Sequence, residues 1–563
     1  MPEAETDERA RNCVKNHFKS DQIPSTDSIS NGAPVACVDS VSEPNSSVHS
    51  ASETPAPGNL TRDPALRDLK KRTARGALVS TVGQATTSFL RIVSMVALAR
   101  LLVPQDFGLV GMATVGTGFL ALFQDIGLSM ATVQRASITH AQISTLFWIN
   151  LGVSALLAAL CAATAPLLVH FYHEPRLFWV TVATGLGFVL NGAGAQHRAL
   201  LQRNLRFMAL TLIDITALFV SVLVGIVMAA TGFGYWSIVG MTLCGYVFSM
   251  CGSWLIGGWR PGLPRRGAGV RSMLGYGGIA TLNNLVVYFA YNSDKVLLGR
   301  FFGAETLGIY GRAFQLINLP TQNLNSTIAL VAFPALSRLQ NEPERLRSYF
   351  LKGYGLFLSL VIPITMACAL FSEDIIRVFL GAKWSAAVPV FRLMAPTILG
   401  FALINPFGWL LMATGRAVRS FKISLLIAPV VFLGYLFGLR YGSNGVAAGF
   451  SSAIMLLVVP VIVWSTRGCP ITALDALGVA MRPFVSALVA GAVALAAWSF
   501  IQFLQLPLLR LIAANLILFG VYAFVLLFVM GQKTAYVKIL RELGVWPSFG
   551  RRAVGVAVKP ADV

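Results

Sequence analysis

Charge is scarce in this chain. Asp, Glu, Lys and Arg make up 12% of its 563 residues, about half the roughly 25% of an ordinary soluble domain, which excludes a water-soluble globular class. Acidic residues are the rarer kind, 24 against 44 Lys and Arg, for a net charge of +20. The seven cysteines (Cys13, Cys37, Cys161, Cys244, Cys251, Cys368, Cys469) are scattered with no CxxC spacing. That spacing argues against a disulfide framework or a thiolate metal site and reads as small buried apolar residues. Histidine is limited to six residues, and the pair His170 and His173 falls in a short connector beside Pro175, so no metal is expected. There is no P-loop, no GxSxG with triad partners and no HExxH. The chain therefore carries no recognisable catalytic apparatus, and neither an enzyme nor a cofactor is expected.

What fills the space is hydrophobic: 55% of residues. Fourteen windows of about 20 apolar residues, the length that crosses a hydrocarbon core, recur from Ala77 almost to the end. The expected fold class is an all-α polytopic membrane protein with 14 transmembrane helices, some of them broken or kinked where Pro320 and Pro363 interrupt the pattern. Trp148, Trp179, Trp236 and Trp259 fall near predicted helix ends, as interfacial anchors do. Positive charge follows membrane sidedness. Alternate connectors hold about 17 Lys and Arg against about seven on the opposite side, which argues against nucleic acid as a partner and places both termini in the cytoplasm. Residues 1–70 differ: the first 60 hold nine acidic and four basic residues among Ser and Pro and lack the apolar area that offsets ordering entropy. A disordered cytoplasmic tail is expected there, with no cleavable signal peptide, and a basic cytoplasmic tail over 532–563.

The hydrophobic pattern is written twice. RLLVPQDFGLVGMA, Arg100 to Ala113, returns as RFFGAETLGIYGRA, Arg300 to Ala313. The offset of 200 aligns Thr81 with Thr281, Gln84 with Asn284, Gly108 with Gly308, Gly111 with Gly311 and Asp125 with Asn325. Farther along, GFVLN at Gly187 to Asn191 resembles GFALI at Gly400 to Ile404, and Arg203 and Arg206 fall on Arg416 and Arg419. Six spans thus repeat as six. Because six is even, the copies enter the membrane from the same side, as parallel repeats about an axis along the membrane normal. The expected organisation is an N-terminal lobe over 71–258, a C-terminal lobe over 271–466, two further helices over 483–531, and a central site between the two six-helix bundles.

Polar residues inside the apolar windows mark that site. In the first span Gln84, Thr87, Ser88, Arg91 and Ser94 share one helical face. Arg91 lies near mid-span, where a cation costs roughly 2.5–3.5 kcal/mol on the gentlest insertion scale. Three readings stand: an ion pair with Asp125 or Asp214, a cavity cation contacting an anionic substrate, or snorkelling toward lipid. Asn284, Tyr288, Tyr291 and Lys295 form a second stripe, and Gln315, Asn318, Gln322 and Asn325 a third. Amides offer donors and acceptors to hydroxyls and tyrosine rings stack on sugar faces; the competing role is interhelical hydrogen bonding. Asp294 and Lys295 read as a local pair. Asp125 and Asp214 are the candidates for ion coupling through a raised carboxylate pKa, Asp125 alternatively standing at the cytoplasmic boundary. Arg198, Arg203 and Arg206 form a candidate cationic rim for pyrophosphate, although Arg198, like Arg392, also suits snorkelling.

Four stretches carry a family resemblance: ARLLVPQDFGLVGMA, QHRALLQRNLRF, NSDKVLLGRFFGAETLGIYGRAFQL and FLGAKWSAAVPVFRL. Over about residues 70 to 532 the chain resembles the polysaccharide transporter family of flippases, within the multidrug, oligosaccharidyl-lipid and polysaccharide exporter superfamily, and looks closest to colanic acid and exopolysaccharide exporters. The resemblance implies two six-helix lobes around a cationic cavity, two extra helices, and an undecaprenyl-pyrophosphate-linked oligosaccharide moved to the outer leaflet of a bacterial inner membrane. It also implies essential cavity arginines, which Arg91 matches. On this reading Arg91 and Lys295 hold the pyrophosphate, while Gln84, Asn284, Tyr288, Tyr291, Gln315, Asn318, Gln322 and Asn325 engage the glycan. The prenyl tail stays in the lipid bilayer. A polysaccharide polymerase and a chain-length regulator are the further partners. The competing readings are a drug or cation antiporter of the same superfamily and a non-transporting scaffold of a polysaccharide assembly complex.

Overall fold

Hydrophobic windows become helices because backbone groups in lipid must be satisfied within their own segment. The computed structural model describes residues 64–124, 129, 132–133, 135, 138–264, 278–534 and 536; the tail before residue 64, Asp125 and the chain beyond residue 536 lie outside the described residues. Among the described residues every regular element is helical. The first half holds α1 (Pro64–Leu101), α2 (Pro104–Ala121), α3 (His140–Tyr172), α4 (Leu177–Arg203), α5 (Phe207–Ala230) and α6 (Trp236–Gly257). The second opens with α7 (Gly278–Arg338), α8 (Pro343–Leu370) and the short α9 (Ser372–Phe379). A 3-10 turn (Ala382–Trp384) leads to α10 (Ala387–Met394), α11 (Pro396–Ala413), α12 (Ala417–Leu439) and α13 (Gly442–Thr466). Two more, α14 (Ala473–Ile501) and α15 (Pro507–Phe524), finish the described chain with a wide turn at Val525–Val529. Eleven stretches among the described residues are long and apolar enough to cross a membrane; they lie in α1, α3 to α6, α8, α10 with α11, and α12 to α15.

Local chemistry sets the ends. Thr139 caps α3, its hydroxyl accepting from the Gln142 N–H at 3.3 Å while the Gln142 side chain accepts from the Thr139 N–H at 3.0 Å. Thr472 and Asp475 repeat this reciprocal cap at α14. Pro104, Pro343, Pro396 and Pro507 begin α2, α8, α11 and α15, where the missing N–H has no intrahelical use. No break occurs at Pro320 or Pro363: α7 and α8 continue through them, since packed neighbours in a bundle absorb the freed carbonyls. The non-helical residue in α7 is Gly303, at φ 80° and ψ −176°, a conformation that a side chain would disfavour.

The two halves meet through backbone. α2 packs on α7 more extensively than on any helix of its own half. At the crossing a methyl group on Gly108 would stand 1.6 Å from the Ala304 carbonyl oxygen, and one on Gly308 would stand 1.9 Å from the Pro104 carbonyl oxygen. The repeat offset exchanges these two contacts with each other. Beside them, the end of α1 is clamped by the second half. The Trp384 indole donates to the Ala99 carbonyl at 2.8 Å, Arg100 donates to the Val378 carbonyl at 2.9 Å, and Lys383 approaches the Leu102 carbonyl at 3.5 Å. The last carbonyls of a helix have no intrahelical partner and carry partial negative charge, so an indole N–H and a cation are fitting partners there. At the far end of the chain α15 is tied to α9 by the two-pronged Arg510 to Asp374 ion pair, Asp374 being buried and Arg510 partly so.

Because both glycines serve one contact, Gly108→Ala and Gly308→Ala are each expected to destabilise the purified protein by about 1–3 kcal/mol through overpacking. The double variant is expected to lose less than the sum, since neighbouring sites couple. Unfolding in detergent measures both; additive losses would mean that the contacts are independent.

Candidate functional site: two adjoining cavities

Beside the glycine crossing, a cavity of about 530 Å³ lies between the halves, lined by α2 and by both arms of α7, the first before Gly303 and the second after it. Its cations are Lys295 and Arg312, both from α7, and its amides Gln124, Asn292 and Gln315; none of its lining residues is acidic. The Lys295 ammonium donates to Asn292 Oδ1 at 2.7 Å and lies 5.4 Å from the Phe314 ring centre. Arg312 donates to Gln315 Oε1, and its guanidinium rests 3.7 Å from the centre of the Phe107 ring, across the boundary between the halves. Phe107 in turn packs on Trp384, with ring centres 5.5 Å apart. Tyr288 spans the same boundary deeper in, its hydroxyl donating to the Val115 carbonyl at 2.6 Å.

A second cavity, of about 780 Å³, lies inside the first half among α1, α4, α5 and α6. Gln84, Thr87 and Arg91 of α1 line one side, with Arg198, Gln202, Asp214 and Ser249 opposite. Arg198 grips Asp214 with both terminal nitrogens, at 2.8 and 3.2 Å, and also reaches Ser249 at 3.2 Å. Asp214 is therefore the partner of Arg198 and not of Arg91. Arg91 is exposed to the cavity it lines and has no hydrogen bond or ion pair among the described residues. Thr242 and Tyr246 of α6 line both cavities and form the wall they share.

The sequence-predicted residues thus divide. Gln84, Arg91, Arg198 and Asp214 line the first-half cavity, and Tyr288, Lys295 and Gln315 the cavity between the halves. The two predicted pyrophosphate cations stand in different, adjoining chambers. Asn284, Tyr291, Asn318, Gln322 and Asn325 line neither. Tyr291 packs against Phe401 and Phe450 in an aromatic cluster of the second half, and Asn325 Oδ1 is buried without a partner. Arg203 donates to the Thr132 and Arg135 carbonyls at 2.8 and 2.6 Å, and Arg206 to the Ile256 carbonyl at 3.1 Å. Asp294 and Lys295 do not pair side chain to side chain. Successive helical residues point about 100° apart, and the fully buried Asp294 instead accepts from the Tyr310 hydroxyl at 2.8 Å. Arg312 was missed although its signal is in the repeat: at the offset of 200 it replaces Met112, a cation where the first copy has a thioether.

A family model described as polysaccharide biosynthesis protein matches residues 97–389. The chain is 28% identical over 392 residues to the lipopolysaccharide biosynthesis protein WzxC of Escherichia coli (strain K12), spanning 68% of this chain and 78% of that one. It is 24% identical over 329 residues to the succinoglycan biosynthesis transport protein ExoT of Rhizobium meliloti (strain 1021), spanning 58% and 66%. Among solved structures, the lipid II flippase MurJ in an inward closed conformation has the same fold, with a TM-score of 0.65 over 83% of this chain and 99% of that one at 15% identity.

The ion pair makes the charge of the first-half cavity adjustable. Asp214→Asn releases Arg198 and is expected to tighten binding of inorganic pyrophosphate to the purified protein roughly ten-fold, the equivalent of one charge-assisted hydrogen bond. Arg91→Gln is expected to weaken it to a similar degree. Isothermal titration reads both, and an Asp214→Asn protein that binds pyrophosphate no better than wild type would remove the cavity as an anion site.

Proposed function

Because the chain belongs to the polysaccharide biosynthesis protein family, we propose that it is a flippase that moves polyprenyl-pyrophosphate-linked oligosaccharide repeat units across the bacterial inner membrane by alternating access. The observation that carries this reading is the cavity between the halves, with two cations, three amides and no acidic residue in its lining. A pyrophosphate brings negative charge and a glycan brings hydroxyls, and this lining answers both. A drug or cation antiporter needs an acidic pocket, which neither this lining nor the net positive first-half cavity supplies. A scaffold needs no wet chamber at all.

In this reading Lys295 and Arg312 receive the pyrophosphate in the central cavity, with Gln315 and Tyr288 beside the first sugars. Arg91 and Arg198 hold an adjoining anionic or hydroxyl-rich part of the head behind the wall of Thr242 and Tyr246. The prenyl tail remains in the lipid bilayer, which avoids burying an unpaired charge in hydrocarbon. Of the residues lining neither cavity, Asn284, Asn318, Gln322 and Asn325 would reach the glycan in the opposite conformation, and Asp214 remains the described candidate for ion coupling. Alternating access follows from two six-helix lobes related by an axis along the membrane normal, with α2 and both arms of α7 also crossing to give fourteen spans. The exchange of the Gly108 and Gly308 contacts by the repeat supports this arrangement. The clamp at Ala99, Arg100 and Trp384 falls on the less basic side, so the chamber is closed toward the periplasm and both termini are cytoplasmic. A polymerase and a chain-length regulator are the expected recipients on the outer side.

Reconstitution in proteoliposomes with a fluorescent lipid-linked oligosaccharide tests this. Wild type is expected to translocate it, and Arg312→Gln and Arg91→Ala to lose at least ten-fold in rate at unchanged membrane abundance, since each removes a cation that pairs with the phosphates. Transport of a cationic drug without transport of the lipid-linked sugar would establish the antiporter, and transport of neither the scaffold.

A further inference from the structure

On the more basic side of the second half, away from both chambers, a cavity of about 430 Å³ opens among α8, α14 and the end of α15. Lys352, Asp475, Arg482, Leu526, Gln532 and Tyr536 are among its lining residues. Asp475 is already matched: Arg347 holds it with two bonds of 2.9 and 3.2 Å, and the Thr472 N–H donates to it at 3.1 Å. Lys352 and Arg482 have no side-chain partner among the described residues. The cavity is therefore left with two uncompensated positive charges from two different helices.

Their depth is informative. Lys352 is the tenth residue of α8 and Arg482 the tenth of α14. In each helix it is also the last charged residue, and everything that follows to Leu370 or Ile501 is uncharged. Both cations thus mark the level at which water gives way to hydrocarbon, which is where phosphate headgroups lie. The third wall ends at the same boundary. α15 finishes its apolar run in the π turn at Val525–Val529, Gly531 stops it at φ 64°, and Gln532 and Tyr536 follow as hydrogen-bonding groups. Met481, Phe484, Phe528 and Val529, on the same helix segments, are large apolar side chains left exposed, a surface suited to acyl chains.

We propose that this cavity is a binding site for the phosphodiester headgroup of an anionic phospholipid of the cytoplasmic leaflet, held by Lys352 and Arg482 and separate from the substrate chambers. Basic pockets between membrane helices on the cytoplasmic side take anionic headgroups for this reason. The lipid bridges α8, α14 and the end of α15, so it fastens the last two helices to the second half.

The test titrates the full purified chain in detergent with phosphatidylglycerol, with phosphatidylcholine of the same acyl chains and with soluble glycerol phosphate, followed by native mass spectrometry and thermal unfolding. Phosphatidylglycerol is expected to bind and to raise the melting temperature, with phosphatidylcholine far weaker and glycerol phosphate without effect. Lys352→Gln with Arg482→Gln is expected to weaken phosphatidylglycerol roughly thirty-fold, two surface cations' worth, while Lys352→Arg with Arg482→Lys keeps it. Equal binding of the two lipids, undiminished binding by the glutamine pair, or loss in the charge-keeping pair would each overturn the proposal. Stabilisation by glycerol phosphate alone would assign the cavity to a soluble phosphate ester instead.

Discussion

Two glycines and two carbonyls hold the halves of this molecule together. Where Gly108 meets Ala304 and Gly308 meets Pro104, no side chain separates the backbones. In a membrane, where lipid is as apolar as leucine, such close packing is a main source of helix association. The crossing point also sets what can happen on either side of it. Helices pinned this closely at one end can diverge toward the other, and the polar chamber occupies that divergence. Arg312 links the two features, because its guanidinium lies in the chamber while its stacking partner Phe107 sits on α2 beside the clamp residue Trp384. A change in the crossing would alter the environment of that cation.

The repeat in sequence is not an equality in structure. The first half has room around α1, and that room is filled by Arg91 and the Arg198 to Asp214 pair. The matching region of the second half, around the first arm of α7, is filled by rings: Tyr291 against Phe401 and Phe450, Tyr310 stacked on Phe314, and Tyr435 on Phe450. The first half offers a cavity lined by polar side chains and the second a packed body. The buried carboxyl beside these rings, Asp294, is met by the Tyr310 phenol rather than by a cation, and Lys295 and Arg312 bring positive charge from the second half to the boundary between the halves.

Positive charge is plentiful, yet much of it is already engaged. Arg203, Arg206, Arg416 and Arg419, the two pairs matched by the repeat, all donate to backbone carbonyls at helix and loop ends. Such bonds satisfy acceptors that no intrahelical N–H can reach. A count of arginines near a membrane face therefore overstates the charge available to a ligand. Among the described residues, Arg91, Lys295 and Arg312 differ in lining the chambers while bonding neither a carboxylate nor a backbone carbonyl.

Much was legible in the order of residues. Composition and window length give a helical membrane protein, since hydrocarbon leaves the backbone few other ways to satisfy its bonds. The repeat locates the glycines that meet, and a cation in mid-span marks a wet interior because the alternative is too costly. Sidedness of charge points to one face of the membrane. Which polar residues share a chamber was decided by tertiary structure alone. Helical spacing ranks Tyr291 with Tyr288, yet one enters an aromatic core and the other bridges the halves; Arg91 and Lys295 look like one site and fall in two. A one-dimensional pattern fixes the face of a helix on which a side chain lies, but the packing angle and the depth of each crossing determine what that face meets, and these depend on contacts between residues two hundred positions apart.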